Sequence, residues 1–236
     1  MFFFLSRTAS LHRAAGRGDL GRVRHLLKQG IASDAASPRG WTALLHAARG
    51  GHDDVVGALI AAGADVNTRV TRGFIDKGSV ALKFAVCQAN LGVVRRLIDA
   101  GADVNAIDAS GLSLLSYAIV GQKPDVLEVL LGAGSRIHDR DQLGRSPLMR
   151  AAARGDPTAV RLLLKAGAHC HERNPVGHTA LMEAAQEGHR EAVRVLLGVG
   201  SDPNARDLLG RTALALALER GHRETVAVLR DVGGQE

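Results

Sequence analysis

Residues 177–204 read GHTALMEAAQEGHREAVRVLLGVGSDPN, and the same pattern recurs along the chain at a fixed spacing. Gly78, Gly111, Gly144, Gly177 and Gly210 stand 33 residues apart. A leucine follows each by four residues, at Leu82, Leu115, Leu148, Leu181 and Leu214, and Gly40 with Leu44 belongs to the same register. A second series, Gly134, Gly167, Gly200 and Gly233, keeps the step, and Gly63 and Gly101 extend it across one longer interval that marks an insertion. Counting back reaches Leu11, inside Leu11-His12-Arg13-Ala14-Ala15, with Gly30 in the matching later place. That makes seven units, the first without its leading hairpin. A period of this length means stacked repeats, in which each unit buries its apolar face only against its neighbours, so function is sought on a surface.

Each unit reads as two short helices. The second carries apolar residues at i, i+3 and i+4: Val23, Leu26, Leu27; Val56, Leu59, Ile60; Val94, Leu97, Ile98; Leu127, Leu130, Leu131; Val160, Leu163, Leu164; Val193, Leu196, Leu197. That spacing is one helical face. The first helix is alanine-rich, as at Ala47-Ala48 and Ala151-Ala152, which lets helices approach closely with little side-chain entropy lost. The trailing glycine ends the second helix with a left-handed turn. A polar stretch with Asn67, Asn105 or Asn204 follows, then an Asp-x-x-Gly turn at Asp108, Asp141 and Asp207, which predicts a hairpin or tight loop.

On these residues the chain resembles an ankyrin-repeat protein over roughly residues 7 to 233. Gly40-Trp41-Thr42-Ala43-Leu44, Gly177-His178-Thr179-Ala180-Leu181 and Gly63-Ala64-Asp65-Val66-Asn67 stand where that family's unit has its conserved segments, and Gly51-His52, Gly188-His189 and Gly221-His222 match its inter-helix turn. The motif proline survives only as Pro147 and the motif histidine only as His12. The resemblance implies an all-α solenoid of helix-turn-helix units joined by hairpin loops. It also implies that partners bind the concave face, made of hairpin tips and the exposed side of the first helices. Asn67 and Asn105 lie in segments like those that asparaginyl hydroxylases modify in animal ankyrin repeats.

Composition agrees. Aromatics make up only 3% of 236 residues, as thin layers of small and aliphatic residues require, and a linear array needs no division into several cores. Residues 1–6, beginning Met1-Phe2-Phe3-Phe4-Leu5, read as an apolar cap on the terminal repeat, because the run is too short and lacks the basic start of a secretory signal. Residues 7–236 read as a single repeat domain. At its far end Arg230 replaces the second leucine of the pair, as a capping unit would have it. No stretch approaches the roughly 18 apolar residues of a membrane span. Cys87 and Cys170 lie more than two units apart and form no disulfide framework, which points to the reducing cytoplasm.

The chemical motifs do not build a catalytic centre. Gly16-Arg17-Gly18-Asp19-Leu20-Gly21 fits a dinucleotide fingerprint, but it joins two helices instead of leaving a strand. Arg17-Gly18-Asp19 and Arg154-Gly155-Asp156 spell an adhesion tripeptide only because both fall in the inter-helix turn. His169-Cys170-His171-Glu172, with His138 one repeat before His171, is the segment closest to a metal site. A zinc ion needs three or four donors converging near 2.0–2.3 Å, whereas neighbouring helices pack about 8–10 Å apart and an extended strand points Cys170 away. No metal, no cofactor and no enzyme activity are expected.

What remains is recognition. The tips and first helices supply Arg39, Trp41, Arg49, Phe84, Tyr117, Leu143, Arg145, Arg150 and Arg154, a mixture of the residue types that dominate interface energetics. Between Asn67 and Gly78 the chain has five residues more than later repeats, giving a finger at 68–77 in which Phe74 and Ile75 are flanked by Arg69, Arg72 and Lys77. Neutral drift is the competing reading of that insertion, since loop closure costs little per added residue. The formal charge of +6 raises nucleic acid as a rival partner. The basic residues, however, read as spread around the array, with few aromatics to stack on bases. The sequence therefore predicts a monomeric, non-catalytic adaptor, scaffold or inhibitor whose partner is a protein with an acidic patch. The alternatives are a nucleic-acid-associated protein and the recognition subunit of an enzyme complex.

Overall fold

The computed structural model describes residues 2–73 and 76–235, with side chains from residue 7 onward. Among these residues there are fourteen helices and no strand, only an isolated bridge between Ile107 and Ser113. The chain falls into two compact units, the first ending at Tyr117 and the second beginning at Ala118.

The first unit contains α1 (Phe2–Gly16), α2 (Leu20–Lys28), α3 (Ala43–Gly50), α4 (Asp53–Ala61), α5 (Ala81–Gln88) and α6 (Leu91–Asp99), and the division falls within α7 (Leu114–Val120). The second contains α8 (Pro124–Gly132), α9 (Pro147–Ala153), α10 (Pro157–Lys165), α11 (Ala180–Gln186), α12 (Arg190–Gly198), α13 (Ala213–Glu219) and α14 (Arg223–Asp231). In each unit the first helices of successive repeats pack in one row, α1 on α3 on α5 and α9 on α11 on α13. The second helices form another row, α2 on α4 on α6 and α8 on α10 on α12 on α14.

Core composition follows the repeat. The register leucines from Leu44 to Leu214 and the paired alanines of the first helices are buried. In the second helices the buried face differs by one position from the i, i+3, i+4 reading. Val56 with Leu59, Val160 with Leu163 and Val193 with Leu196 are fully buried, but so are the preceding Val55, Ala159 and Ala192, while Ile60, Leu164 and Leu197 are only half-buried. A second helix touches its own first helix as well as its neighbours, so its apolar stripe turns toward that contact.

The first helices start at a hydroxyl cap. Thr42 accepts from the Leu45 N–H, Ser146 from Met149, Thr179 from Met182 and Thr212 from Ala215, which satisfies one orphan donor each. Val80, the equivalent residue of α5, has no such bond. Successive repeats are tied at the inter-helix turns, where an imidazole Nε2–H donates to a carbonyl of the previous repeat: His52 to Gly16 at 3.1 Å, His189 to Ala153 at 3.1 Å and His222 to Gln186 at 3.0 Å. The glycine of the preceding turn makes room for the ring. At Gly18, with φ +74°, a Cβ would lie 2.6 Å from His52 Nδ1. His52, His189 and His222 are therefore structural, as their turn position predicts.

The hairpin tips are fixed by an Asx turn repeated four times. One oxygen each of Asp108, Asn174, Asp141 and Asp207 accepts backbone N–H groups two and four residues on, at 2.8–3.2 Å. Tips also bond to tips, as in Leu208 N–H to the Val176 carbonyl and Ala109 N–H to the Lys77 carbonyl.

Candidate partner-binding surfaces

In the first unit, Trp41 at a hairpin tip lies half-buried between His46 of α3 and Phe84 of α5, with ring centroids 4.9 and 5.1 Å away. The Arg49 guanidinium sits over both Trp41 and Phe84, at 5.4 and 6.0 Å, and reaches Asp76 at 3.9 Å. Here the structure brings together three residues that the sequence placed on one face, Trp41, Arg49 and Phe84. Phe84 is itself buried, so it acts as the floor under Trp41 and Arg49 rather than as contact surface. His46 adjoins His12, which is buried and bonded to the Ala35 carbonyl. Burial, with the nearby His12 and Arg49, lowers the His46 pKa to about 4, so its ring is neutral at ordinary pH.

Beside this cluster is a groove of about 460 Å³ lined by Arg49, Asp76, Lys83, Phe84, Cys87 and Tyr117. Its wall holds an ion pair that the sequence did not reveal. Lys83 Nζ lies 2.7 Å from Asp108 Oδ2, and both side chains are buried. The Tyr117 hydroxyl donates to the same carboxylate, and Lys83 Nζ lies over the Tyr117 ring at 4.7 Å. Burial alone would push the Asp108 carboxyl up, but Lys83, Tyr117 and the Leu112 N–H hold it below its usual range. Tyr117 thus spends its hydroxyl inside the molecule, fixing the Asp108 turn.

The second unit repeats the device. Asp141 takes Arg145 at 3.0 Å and Arg150 at 3.5 Å, and Asp207 takes Arg211 at 2.9 Å. Burial raises and the turn N–H groups with the arginines lower the Asp141 and Asp207 carboxyls, with a net fall in both. The expectation that Arg150 stands on the contact surface is corrected: it is 9% exposed and braces Asp141 from within. Arg145 is likewise drawn onto its own turn. His178 is buried between Glu183 and Asp207, at 3.5 and 3.4 Å. With the arginines folded in, the outward residues of these tips are aliphatic. Leu143 is 65% exposed, Val176 55%, Leu208 77% and Leu209 76%. Leu143 was picked out in the sequence; Val176 and Leu209 share its tip position, and Leu208 stands one residue earlier. A pocket of about 500 Å³ opens beside the last tip, lined by Val176, Leu208, Leu209, Leu216, Arg211 and Arg220. Arg154, at the end of α9, is exposed.

At the finger, Arg39 and Arg72 are exposed, and the Arg39 carbonyl accepts from the Thr71 and Arg72 N–H groups. Arg69, although exposed, clamps the carbonyls of Gly78 and Ile107 at 3.0 and 2.7 Å, and Val70 is buried and paired with Ser79 and Gly78. Phe74 and Ile75 lie outside the described residues. Asn67 uses its whole amide on the next repeat, donating to Gly101 O and accepting from Asp103 N–H.

The histidine-rich segment forms a stacked and hydrogen-bonded cluster. His138 stacks on His169, not His171, at 5.0 Å, while Glu172 is held by His138 at 3.0 Å and Arg140 at 3.3 Å. Among the described residues no group of three His, Cys, Asp or Glu is arranged to hold a metal ion. Nor is any helix long and apolar enough to cross a membrane.

Known proteins resemble this chain over part of its length. The inactive serine/threonine-protein kinase TEX14 of Bos taurus is 33% identical over 118 residues, covering 50% of this chain and 8% of that protein. The mitochondrial disaggregase of Bos taurus is 31% identical over 148 residues, covering 50% of this chain and 22% of the relative. Ankyrin repeat and SOCS box protein 3 of Homo sapiens is 36% identical over 93 residues, covering 39% and 18%. The match thus spans under a quarter of the length of each relative. Among solved structures, the human ASB11 ankyrin repeat domain superposes with a TM-score of 0.78 at 26% identity, covering 93% of this chain and 96% of that one. The family model for ankyrin repeats in three copies matches residues 6–70, 114–207 and 148–235, and the single-repeat model matches 77–109. The repeats that the 33-residue period marks out are therefore ankyrin repeats, generally protein–protein interaction modules, and the chain belongs to the ankyrin-repeat family.

Proposed function

We propose that this chain is a non-catalytic recognition module, working as an adaptor, scaffold or inhibitor, that binds a partner protein through its hairpin tips. The observation that carries the reading is the row of aliphatic tips in the second unit, Leu143, Val176, Leu208 and Leu209, each more than half exposed while the arginines between them are tied back onto Asp141 and Asp207. Single exposed leucines are ordinary, but Val176, Leu208 and Leu209 together line an open pocket and offer a surface that a partner's apolar side chains can dry. Arg220 lines that pocket, and its positive charge suits an acidic residue on the partner and speeds encounter. In the first unit Trp41 and Arg49 offer an aromatic–cationic spot of the kind that becomes an energetic centre in interfaces.

Catalysis has no support in the polar clusters, which are spent on turns and inter-repeat bonds. The relatives carry the matched repeats as a small part of their length. That supports a second form of the same reading, in which the array selects a target for an activity located elsewhere in an assembly. We place the module in the cytoplasm as a monomer, a proposal that accords with Cys87 and Cys170 forming no disulfide.

The reading is tested by comparing the native chain with a Leu208→Ser, Leu209→Ser variant in affinity capture, after thermal melts show equal stability. These side chains are exposed, so folding is expected to change by less than about 0.5 kcal/mol. A protein retained by the native chain and released by the variant is the expected result. Retention by both removes the tips from the interface.

A further inference from the structure

The positive charge of this protein is not spread over its repeats. Residues 1–33 hold six basic side chains, Arg7, Arg13, Arg17, Arg22, Arg24 and Lys28, against one acid, Asp19, so they carry +5 of the total +6. This corrects the reading of a scattered excess. All six are exposed on α1, α2 and the turn between them. Asp19 is committed to capping α2, where its Oδ1 accepts from the Arg22 N–H at 2.8 Å. Arg7 donates to the neutral Gln29. Among the described residues no carboxylate pairs with Arg13, Arg17, Arg22, Arg24 or Lys28. Some arginines elsewhere do find acids, as Arg96 does Asp53, Arg140 Glu172 and Arg190 Glu224. Arg13, Arg17 and Arg22 further line one cleft of about 290 Å³ together with Ser10 and Asp19.

We infer that the α1–α2 repeat is a docking site for an acidic protein segment, a run of aspartate and glutamate side chains. Three observations choose that occupant. The patch is short: the next second helix, α4, opens with Asp53 and Asp54, so the positive surface ends within one repeat and offers no long track for a nucleic-acid backbone. Five of the six cations are arginine, whose planar fork matches a carboxylate bidentately. Arg13 lies in the last turn of α1, Arg17 follows in the turn with its N–H on the Arg13 carbonyl, and Arg22 lines the same cleft, so neighbouring acidic residues of an extended segment meet neighbouring guanidinium groups. The inference rests on the interaction-module reading and adds to it a second contact, distinct from the aliphatic tips.

The test is fluorescence anisotropy of a labelled oligoglutamate titrated with the full chain at about 0.15 M salt, with three competitors run in parallel: a labelled serine–glycine peptide, single-stranded DNA and phosphatidylserine vesicles. The vesicle arm is needed because the same helix α1 begins with Phe2-Phe3-Phe4-Leu5 in sequence. The expected result is binding of oligoglutamate but not the neutral peptide, weakened about tenfold by Arg13→Glu, Arg17→Glu and by less than about twofold by the equal charge change Arg161→Glu, Lys165→Glu on α10. Arg13→Gln, Arg17→Gln serves if the glutamate variant loses its circular dichroism. Equal weakening by the Arg13 and Arg17 variant and by the α10 variant overturns the site, and so does DNA or vesicle binding without oligoglutamate binding. Neither outcome touches the tips, whose role is read out by the Leu208 and Leu209 variant.

Discussion

His46 is the most sharply displaced titrating group, and the chain's one tryptophan reports on it. Burial holds its pKa near 4, against 6.5 for an ordinary histidine. The unfolded chain therefore takes up the proton first as pH falls. The neutral ring contributes its full stability above about 6.5, loses it progressively down to about 4, and nothing further is lost below. Trp41 lies 4.9 Å from this ring, and it is expected to show a fluorescence change with a midpoint near 4, abolished in His46→Gln. A midpoint near 6.5 would mean that the ring is solvated. Lys83 gives a second prediction. Its ammonium neutralises Asp108 where both are buried, so Lys83→Met leaves a carboxylate without its cation and is expected to cost about 3 kcal/mol in urea unfolding. A loss under about 1 kcal/mol would show that the Tyr117 hydroxyl and the turn N–H groups suffice. Neither role was legible in the sequence. Periodicity marks which positions face inward, but the partner of Lys83 lies 25 residues away and comes within reach only when two repeats stack.

At the level of elements the sequence was far more readable, because each helix and turn repeats and errors do not persist across copies. The turn histidines and the Asp-x-x-Gly tips appear where the register places them, while the hydroxyl caps of the first helices are seen only in the structure. What the register could not show was which tip cations turn inward. Arg145 and Arg150 share a carboxylate presented by Asp141, four and nine residues earlier, so they leave the surface to Leu143. The departures from the repeat are informative. Two units lack glycine in the inter-helix turn, and the backbone still adopts the left-handed conformation there, at Ala89 with φ 55° and Gln122 with φ 51°. A residue with a Cβ pays for that region in strain of about 1 kcal/mol. Gln122 is exposed, so Gln122→Gly is expected to stabilise the chain by about that amount, seen as a higher urea midpoint at unchanged slope. A lower midpoint would show that the gain in unfolded-chain entropy outweighs relief of strain.

Across the whole molecule two surface chemistries are separated along the sequence. The first repeat concentrates unpaired arginine, and the tips of the second unit concentrate exposed leucine and valine. Net charge and composition, taken over the full length, conceal both, since the remaining residues are nearly balanced in charge. The array itself follows from the 33-residue period, whereas the binding surface follows from which side chains the turns consume. The central claim, that the aliphatic tips meet a partner protein, is tested most directly by site-specific photo-crosslinking in cells, with a photoreactive residue replacing Leu208 in one variant and Lys165, exposed at the end of α10, in another. The account predicts a discrete protein adduct from position 208 and none from position 165. Adducts of the same protein at equal yield from both positions, or from 165 alone, would contradict it.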